Sequence, residues 1–85
     1  MADIVIRDPH ISLILQGVEA QVREGTLIYA VFVAAEALVL LGAIADDQET
    51  WLAAFQRHER SIAEAAARMR RRTRAERVFL ESLAD

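Results

Sequence analysis

The chain has 85 residues, no cysteine, a net charge of −3 and 54% hydrophobic residues. This length predicts one domain, residues 1–85, with a thin core. The lack of cysteine excludes disulfides and thiolate chemistry and favours a cytoplasmic location, and the negative charge disfavours general nucleic-acid binding. The apolar content exceeds what one small core buries, which favours a partner, most simply a second copy.

The N-terminal part is predicted to form two short extended segments. Residues 4–6 are the first, and Asp8-Pro9 ends it, because proline lacks a backbone donor and disfavours helix at the preceding residue. Residues 11–15 are the second, and Gly17 then interrupts the chain with an expected bulge or bend.

A β-hairpin is the clearest local prediction in the chain. Residues 18–23 alternate between apolar and polar side chains, as in a strand with one face in the core. Glu24-Gly25 supplies a two-residue turn, and residues 27–33 form the second strand. The predicted pairs are Val22 with Leu27, Ala20 with Tyr29, and Val18 with Val31.

The second hairpin strand is apolar on both faces. Ile28, Ala30 and Phe32 lie on the face opposite the predicted core. One layer of helices covers only one face of a sheet, so this second face requires either the N-terminal segment or another subunit. We predict a homodimer in which Ile28, Ala30 and Phe32 form the self-association surface.

The longest apolar run, residues 27–45, is also long enough to be a single membrane span. Its first half is β-branched and aromatic, and its second half is alanine and leucine, a change from strand to helix preference. Glu36 would lie near the bilayer centre at a cost of about 2.5–3.5 kcal/mol. The favoured interpretation is a strand followed by a short helix, residues 34–41, that ends at Gly42.

A long helix is predicted to begin at Asp46 or Asp47, either of which can serve as the N-cap. From Trp51 to Met69 apolar residues recur at steps of four and three, which is typical of a helix with one face in the core. His58 lies on this stripe and is interpreted as a polar group of the core or of an interface. Residues 78–83 form a closing strand or a terminal helical turn.

These elements predict an α+β fold, a small antiparallel sheet of three to four strands with a central hairpin, packed on one long and one short helix. After the hairpin the chain has Val33, Glu36, Ala37 and Leu38, and the long helix then has Leu52, Phe55, Ile62 and Ala66. In these residues and in the order of its elements the chain resembles the small bacterial proteins grouped as domain-of-unknown-function family 1488. The resemblance covers the chain from about Ile11 onward. Members commonly have Asn-Arg after the helix phenylalanine, where this chain has His58-Glu59. The resemblance therefore implies an α+β fold and no assigned chemistry.

No constellation of residues predicts catalysis. The three glycines are far apart, so they form no phosphate-binding loop, and the serines lie in no recognisable triad context. His10 and His58 lack the close ligand spacing of a metal motif. We therefore expect no enzymatic activity, no cofactor and no metal site.

The strongest surface feature is a cluster of arginines between residues 68 and 77. Its members are Arg68, Arg70, Arg71, Arg72, Arg74 and Arg77. Placement at a negative helix C-terminus and solubility explain part of it. The functional alternatives are docking on an acidic protein surface, including a neighbouring subunit's Asp46, Asp47 and Glu49, or binding of a phosphate backbone. The sequence predicts a non-catalytic protein-binding or self-associating module, with a nucleic-acid-binding accessory protein as the alternative.

Overall fold

A computed structural model describes residues 4–81 of the chain. Within this range the elements in order are strand β1 (Ile4–Ser12), strand β2 (Gly17–Glu24), strand β3 (Leu27–Ala34), helix α1 (Ala35–Leu40), helix α2 (Gln48–Arg57), helix α3 (Glu59–Thr73) and strand β4 (Arg77–Leu80). The strands form one sheet in the order β1-β2-β3-β4. The predicted α+β class, with its four strands and hairpin, is confirmed.

The sheet is mixed, whereas the sequence had predicted an antiparallel one. Strands β1, β2 and β3 pair antiparallel, but β4 pairs parallel to β3. The three helices connect the end of β3 to the start of β4, a crossover long enough to return the chain to the beginning of β3. Residues 78–80 of the predicted closing segment belong to β4, and residues 82 and 83 lie outside the described part.

The turn of the β2–β3 hairpin consists of Gly25 and Thr26, so the predicted register was wrong by two residues. Gly25 has a φ of 63°, a conformation that glycine adopts without steric cost. The observed pairs are Glu24 with Leu27, Val22 with Tyr29, Ala20 with Val31 and Val18 with Val33. Because side chains alternate with a period of two, a shift of two residues leaves every side chain on its predicted face.

Strand β1 is one continuous element rather than two separate segments. Its register against β2 shifts at Asp8-Pro9, where Asp8 has a φ of 53°, so the proline marks a bulge within the strand. The predicted strand over residues 11–15 ends at Ser12. The chain then turns, with the Gln16 amide donating to the Ser12 carbonyl at 2.9 Å, and Ile14 in this turn is 95% exposed.

The predicted long helix is two helices that meet at His58. The backbone of His58 leaves helical geometry, with φ −113° and ψ 23°, and its amide bonds to the carbonyls of Ala54 and Phe55, both at 3.2 Å. The apolar stripe runs on through the break, which is why periodicity alone did not reveal it. Asp47 occupies the predicted N-cap position of α2, without a side-chain capping hydrogen bond.

The helices pack on one face of the sheet, and the core lies between them. Its largest fully buried side chains are Trp51, Phe55, Leu38, Ile62, Leu80, Val18, Val22, Val31, Val33 and Val78. The predicted helical stripe is therefore confirmed as core. The Trp51 indole N–H donates to the carbonyl of Ile44 at 3.0 Å, which ties the α1–α2 loop to α2.

Residues 27–45 do not form a single membrane-spanning helix. They divide between β3, α1 and the loop that follows, so that alternative is wrong. Among the helices of residues 4–81, none is both long and apolar enough to cross a membrane.

Candidate functional site

The sheet has one face that the helices do not cover, which we call the open face. Strand alternation and register place thirteen side chains on it. These are Val5, Arg7, His10, Ser12, Glu19, Gln21, Arg23, Ile28, Ala30, Phe32, Ala34, Arg77 and Phe79. The N-terminal segment, which could have covered this face, is itself strand β1. No element of residues 4–81 therefore covers the open face.

Large apolar side chains are exposed on the open face. Ile28 is 57% exposed, Phe79 is 52% exposed, and Val5 at the edge is also exposed. Exposed apolar side chains on neighbouring strands are typical of a surface that packs against another molecule. The exposure of Phe79 could not be predicted from the sequence, because its face depends on whether residues 78–83 form a strand or a helical turn.

Phe32 is placed differently from its neighbours on the predicted self-association surface. It is only 6% exposed, because its ring lies over Gly17 and meets Phe79 in an edge-to-face contact, with centroids 5.8 Å apart. Ala30 beside it is partly exposed. Of the three predicted residues, Ile28 is therefore the one most available to a partner, and Phe32 supports Phe79 from beneath.

A carboxylate flanked by two basic side chains lies at the centre of the open face. Glu19 Oε2 is 3.1 Å from Arg77 Nε, and Glu19 Oε1 is 3.6 Å from His10 Nε2. The contact with Arg77 is an ion pair without the alignment of a hydrogen bond. A shallow depression of about 280 Å³ adjoins it and is lined by Asp8, His10, Glu19, Ala20, Gln21 and Ala30.

The chemistry available in this depression is limited. Glu19 is already paired with Arg77, and the described lining contains no serine, threonine, cysteine or lysine. Within residues 4–81 no three histidine, cysteine or acidic side chains are grouped so that they could hold a metal ion. Through His10, Glu19 and Gln21 the depression can offer hydrogen bonds and charge to a partner.

The structure separates the predicted arginine cluster into side chains that hold the fold together and side chains that face solvent. The Arg70 guanidinium lies over the Tyr29 ring, 5.7 Å from its centroid. Arg71 pairs with Glu24 at 3.9 Å, and Arg77 pairs with Glu19 on the open face. These three therefore bind α3 and β4 to the hairpin.

The remaining members of the cluster are Arg68, Arg72 and Arg74, all exposed. Arg74 ends α3 in a left-handed conformation with a φ of 54°, and its amide donates to the Arg70 carbonyl at 2.8 Å. Arg72 and Arg74 make no ion pair with any residue between 4 and 81. They lie on either side of Thr73 in the sequence, at the end of α3 that Arg71 joins to Glu24 of the hairpin.

Two further arginines that the sequence did not connect with the cluster lie at the same end. Arg7 and Arg23 are exposed on the open face and flank a depression of about 250 Å³ together with Val5 and Gly25. Neither makes an ion pair within the described range. The β1–β2 register brings these two arginines together on the open face, whereas α3 lies on the other side of the sheet.

Tyr29 lies on the core side of the hairpin, beneath Arg70. Its side chain is 3% exposed, and its hydroxyl has no hydrogen-bond partner within residues 4–81. Burial raises the pKa of Tyr29 above 10.0, and the Glu24 carboxylate raises it further, while Arg70 and Arg71 oppose the shift. Tyr29 therefore keeps its hydroxyl protonated, and its ring packs in the core and makes a cation–π contact with Arg70.

His58 is half-buried at the junction of α2 and α3. It lies where α2 ends and α3 begins, and its carbonyl accepts a hydrogen bond from the amide of Ile62 at 3.0 Å. The role of its side chain as a polar group of the core or of an interface stays a prediction.

A second set of exposed apolar side chains lies away from the open face. It comprises Leu13, Ile14 and Leu15 in the β1–β2 turn, Val39 and Leu40 on α1, and Ile44 in the α1–α2 loop. The Ala35 amide bonds to the Gln16 carbonyl at 2.9 Å, so the turn and the start of α1 are neighbours at the end of the sheet opposite the hairpin.

Comparison with solved structures supports the fold. The chain is similar to the crystal structure of a protein of unknown function from the DUF1488 family of Shewanella loihica PV-4. The TM-score is 0.79 over 96% of each chain, at 13% sequence identity. The fold is therefore DUF1488-like, as the sequence resemblance predicted. No family model matches the sequence, and no curated protein matches it.

Proposed function

We propose that this chain is a small non-catalytic binding module that associates with a second copy of itself through the open face. The observation that carries the proposal is the exposure of Ile28 and Phe79 on the neighbouring strands β3 and β4, on a sheet face that no element of the described chain covers. Removal of such apolar side chains from water by a partner lowers the free energy of the complex.

The dimensions of the open face suit such a contact. Strands β1, β2 and β3 have nine, eight and eight residues and β4 has four, so at a spacing of about 4.8 Å they present roughly 450 Å² of projected surface, to which side-chain relief adds. A standard interface buries about 800 Å² of accessible surface per partner. Two open faces packed together would form a contact that includes Ile28 and Phe79 and, beside Ile28, the paired Arg23.

Sedimentation of matched variants tests this proposal. The double variant Ile28→Thr/Phe79→Thr removes these two exposed apolar side chains and keeps residues that suit strands. We expect dimers for the wild type and monomers for this variant. The control Ile14→Thr/Leu40→Gln removes two exposed apolar side chains from the other end of the sheet and should leave the dimer intact. A wild-type monomer across a wide range of protein concentration would refute the proposal.

One observation favours a second candidate function, binding of single-stranded nucleic acid on the same face. Phe79 is an exposed aromatic ring two residues from Arg77, and Arg7 and Arg23 lie across the sheet from it. Stacking on aromatic rings with arginine beside the backbone is typical of single-strand recognition. Fluorescence anisotropy of a labelled oligonucleotide tests it, since binding must weaken steeply with salt and must be lost in Phe79→Thr.

A further inference from the structure

The two edges of the sheet differ in how they are protected against pairing with another chain. Strand β1 forms one edge and β4 forms the other. In β1 the register against β2 shifts between Arg7 and His10, and Pro9 within this bulge has no backbone N–H. Bulges and prolines of this kind keep an edge strand from pairing further. Residues 77–80 of β4 contain neither glycine nor proline, and none of them has a positive φ, so β4 is the unprotected edge.

The outer edge of β4 presents main-chain groups that no strand of residues 4–81 uses. The Ala30 amide donates to the Glu76 carbonyl at 2.9 Å, in the parallel register that places Ala30 opposite Arg77. This pattern directs the N–H and C=O groups of Val78 toward β3. The groups of its neighbours Arg77 and Phe79 point the other way, where the sheet ends. Each of these two residues therefore offers one donor and one acceptor to an added strand.

The sequence of this edge is complementary to itself in the reverse direction. Residues 77–81 are RVFLE, with a basic residue at one end, an acidic residue at the other and apolar residues between them; Glu81 directly follows β4 and is exposed. When two copies pair antiparallel about Phe79, each Arg77 lies opposite Glu81 of the other copy, and the two Phe79 rings are neighbours. Opposite charges and aromatic pairs at opposed positions stabilise antiparallel strands. The complementary strand is thus present on the chain itself.

We infer that β4 pairs antiparallel with β4 of a second copy of this chain, around a twofold axis at Phe79. The outward main-chain groups of residues 77, 79 and 81 then form about six hydrogen bonds between the copies. Two sheets of four strands join into one of eight. Opposed residues of antiparallel strands lie on the same face, so the two open faces become continuous.

This edge contact goes beyond the proposed function, in which open faces pack against each other. It leaves the open face uncovered, so both contacts can form in one assembly. It involves five residues of each chain, 77–81, and should therefore form at higher protein concentration than the open-face contact. Phe79 takes part in both contacts, whereas Ile28 belongs to the open face alone, so Ile28→Thr separates them.

Disulfide cross-linking tests both the pairing and its register, because the chain has no cysteine of its own. The variants Arg77→Cys and Glu81→Cys each introduce one thiol, and circular dichroism verifies that both are folded. Position 77 of one copy lies opposite position 81 of the other, with Cα atoms about 5.5 Å apart, which is within the range of a disulfide. The two copies of position 77 are about 14 Å apart, which is beyond that range.

An equimolar mixture of the two variants should therefore cross-link, while each variant alone should not. A mixture of Glu81→Cys with Glu64→Cys, at an exposed position on α3, measures random collision. The Arg77→Cys and Glu81→Cys mixture should react about tenfold faster than this control, because pairing raises the effective concentration of the two thiols. The same rate is expected when both variants also carry Ile28→Thr.

Three results would overturn the inference. The mixture could cross-link no faster than the collision control, or Arg77→Cys could cross-link with itself, which requires another register. Loss of the cross-link in the Ile28→Thr background would assign it to packing of the open faces. Failure of the proposed function is a separate result, since it would appear as sedimentation that Ile28→Thr leaves unchanged.

Discussion

The Phe79 ring meets the Phe32 ring edge to face, with 5.8 Å between centroids and an interplanar angle of 61°. The parallel pairing of β4 with β3 creates this contact, since it places the two residues directly opposite each other. Phe79 thereby covers Phe32 and becomes the exposed aromatic side chain of the open face. One strand pairing thus determines which aromatic ring packs within the chain and which is exposed.

The first prediction concerns this aromatic pair. Phe79→Ala should lower the free energy of unfolding by about 1–2 kcal/mol, because it removes the ring contact and uncovers Phe32. Urea denaturation at fixed protein concentration measures the change, since self-association makes stability concentration-dependent. Leu40→Ala, at an exposed position on α1, should change stability by less than about 0.5 kcal/mol. Equal losses in the two variants would contradict the assigned role of the pair.

The second prediction concerns the close approach of strands at Gly17. A Cβ atom at this position would lie 2.2 Å from the Val33 carbonyl oxygen and 2.6 Å from Phe32 Cζ. The oxygen belongs to the backbone and cannot rotate away, so Gly17→Ala should destabilise the fold by about 2–3 kcal/mol. Thermal unfolding measures this loss, with Ser12→Ala on the paired strand as the control. An unchanged melting temperature would show that the sheet can relax there.

The third prediction concerns the ion pair between Glu19 and Arg77. A double-mutant cycle with Glu19→Gln and Arg77→Gln should give a coupling of about 0.5–1 kcal/mol, because both side chains are partly exposed to water. The coupling should decrease as salt is added. The same cycle with Arg7 in place of Arg77 should give no coupling, since Arg7 makes no ion pair among residues 4–81. Coupling below error for Arg77 would mean that the contact contributes no stability.

The sequence predicted those features that depend on local periodicity. Alternation in β2 and β3 assigned Val22 and Ile28 to opposite faces, and these assignments survived a two-residue error in the turn because the error was even. The apolar stripe on the helices identified Trp51 and Phe55 as core for the same reason.

Features that depend on long-range pairing could not be predicted in this way. Nothing in residues 77–80 indicates that they pair parallel to β3, so the positions of Arg77 and Phe79 on the open face had to come from the structure. The division of the arginine cluster follows from the same crossover, which brings Arg70 and Arg71 against the hairpin. The break between α2 and α3 could not be predicted either, because His58 continues the apolar stripe of the helices.

The last prediction concerns Tyr29 and alkaline pH. Its pKa is raised above 10.0 mainly by burial, so above pH 10 the folded chain retains a proton that the unfolded chain releases. The folded state then binds more protons, and the free energy of unfolding must fall as pH rises from about 10 through the folded-state pKa. The chain has no lysine and no cysteine and only this one tyrosine, so no other side chain titrates in that range.

Tyr29→Phe should abolish this alkaline loss of stability. Below pH 9 the variant should be as stable as the wild type or slightly more so, because it removes a buried hydroxyl that has no partner in residues 4–81. Urea denaturation between about pH 8 and pH 11.5 compares the two proteins, and absorbance of the tyrosinate monitors ionisation directly. If the free energy of unfolding of Tyr29→Phe falls with pH as steeply as that of the wild type, ionisation of Tyr29 does not cause the alkaline loss of stability.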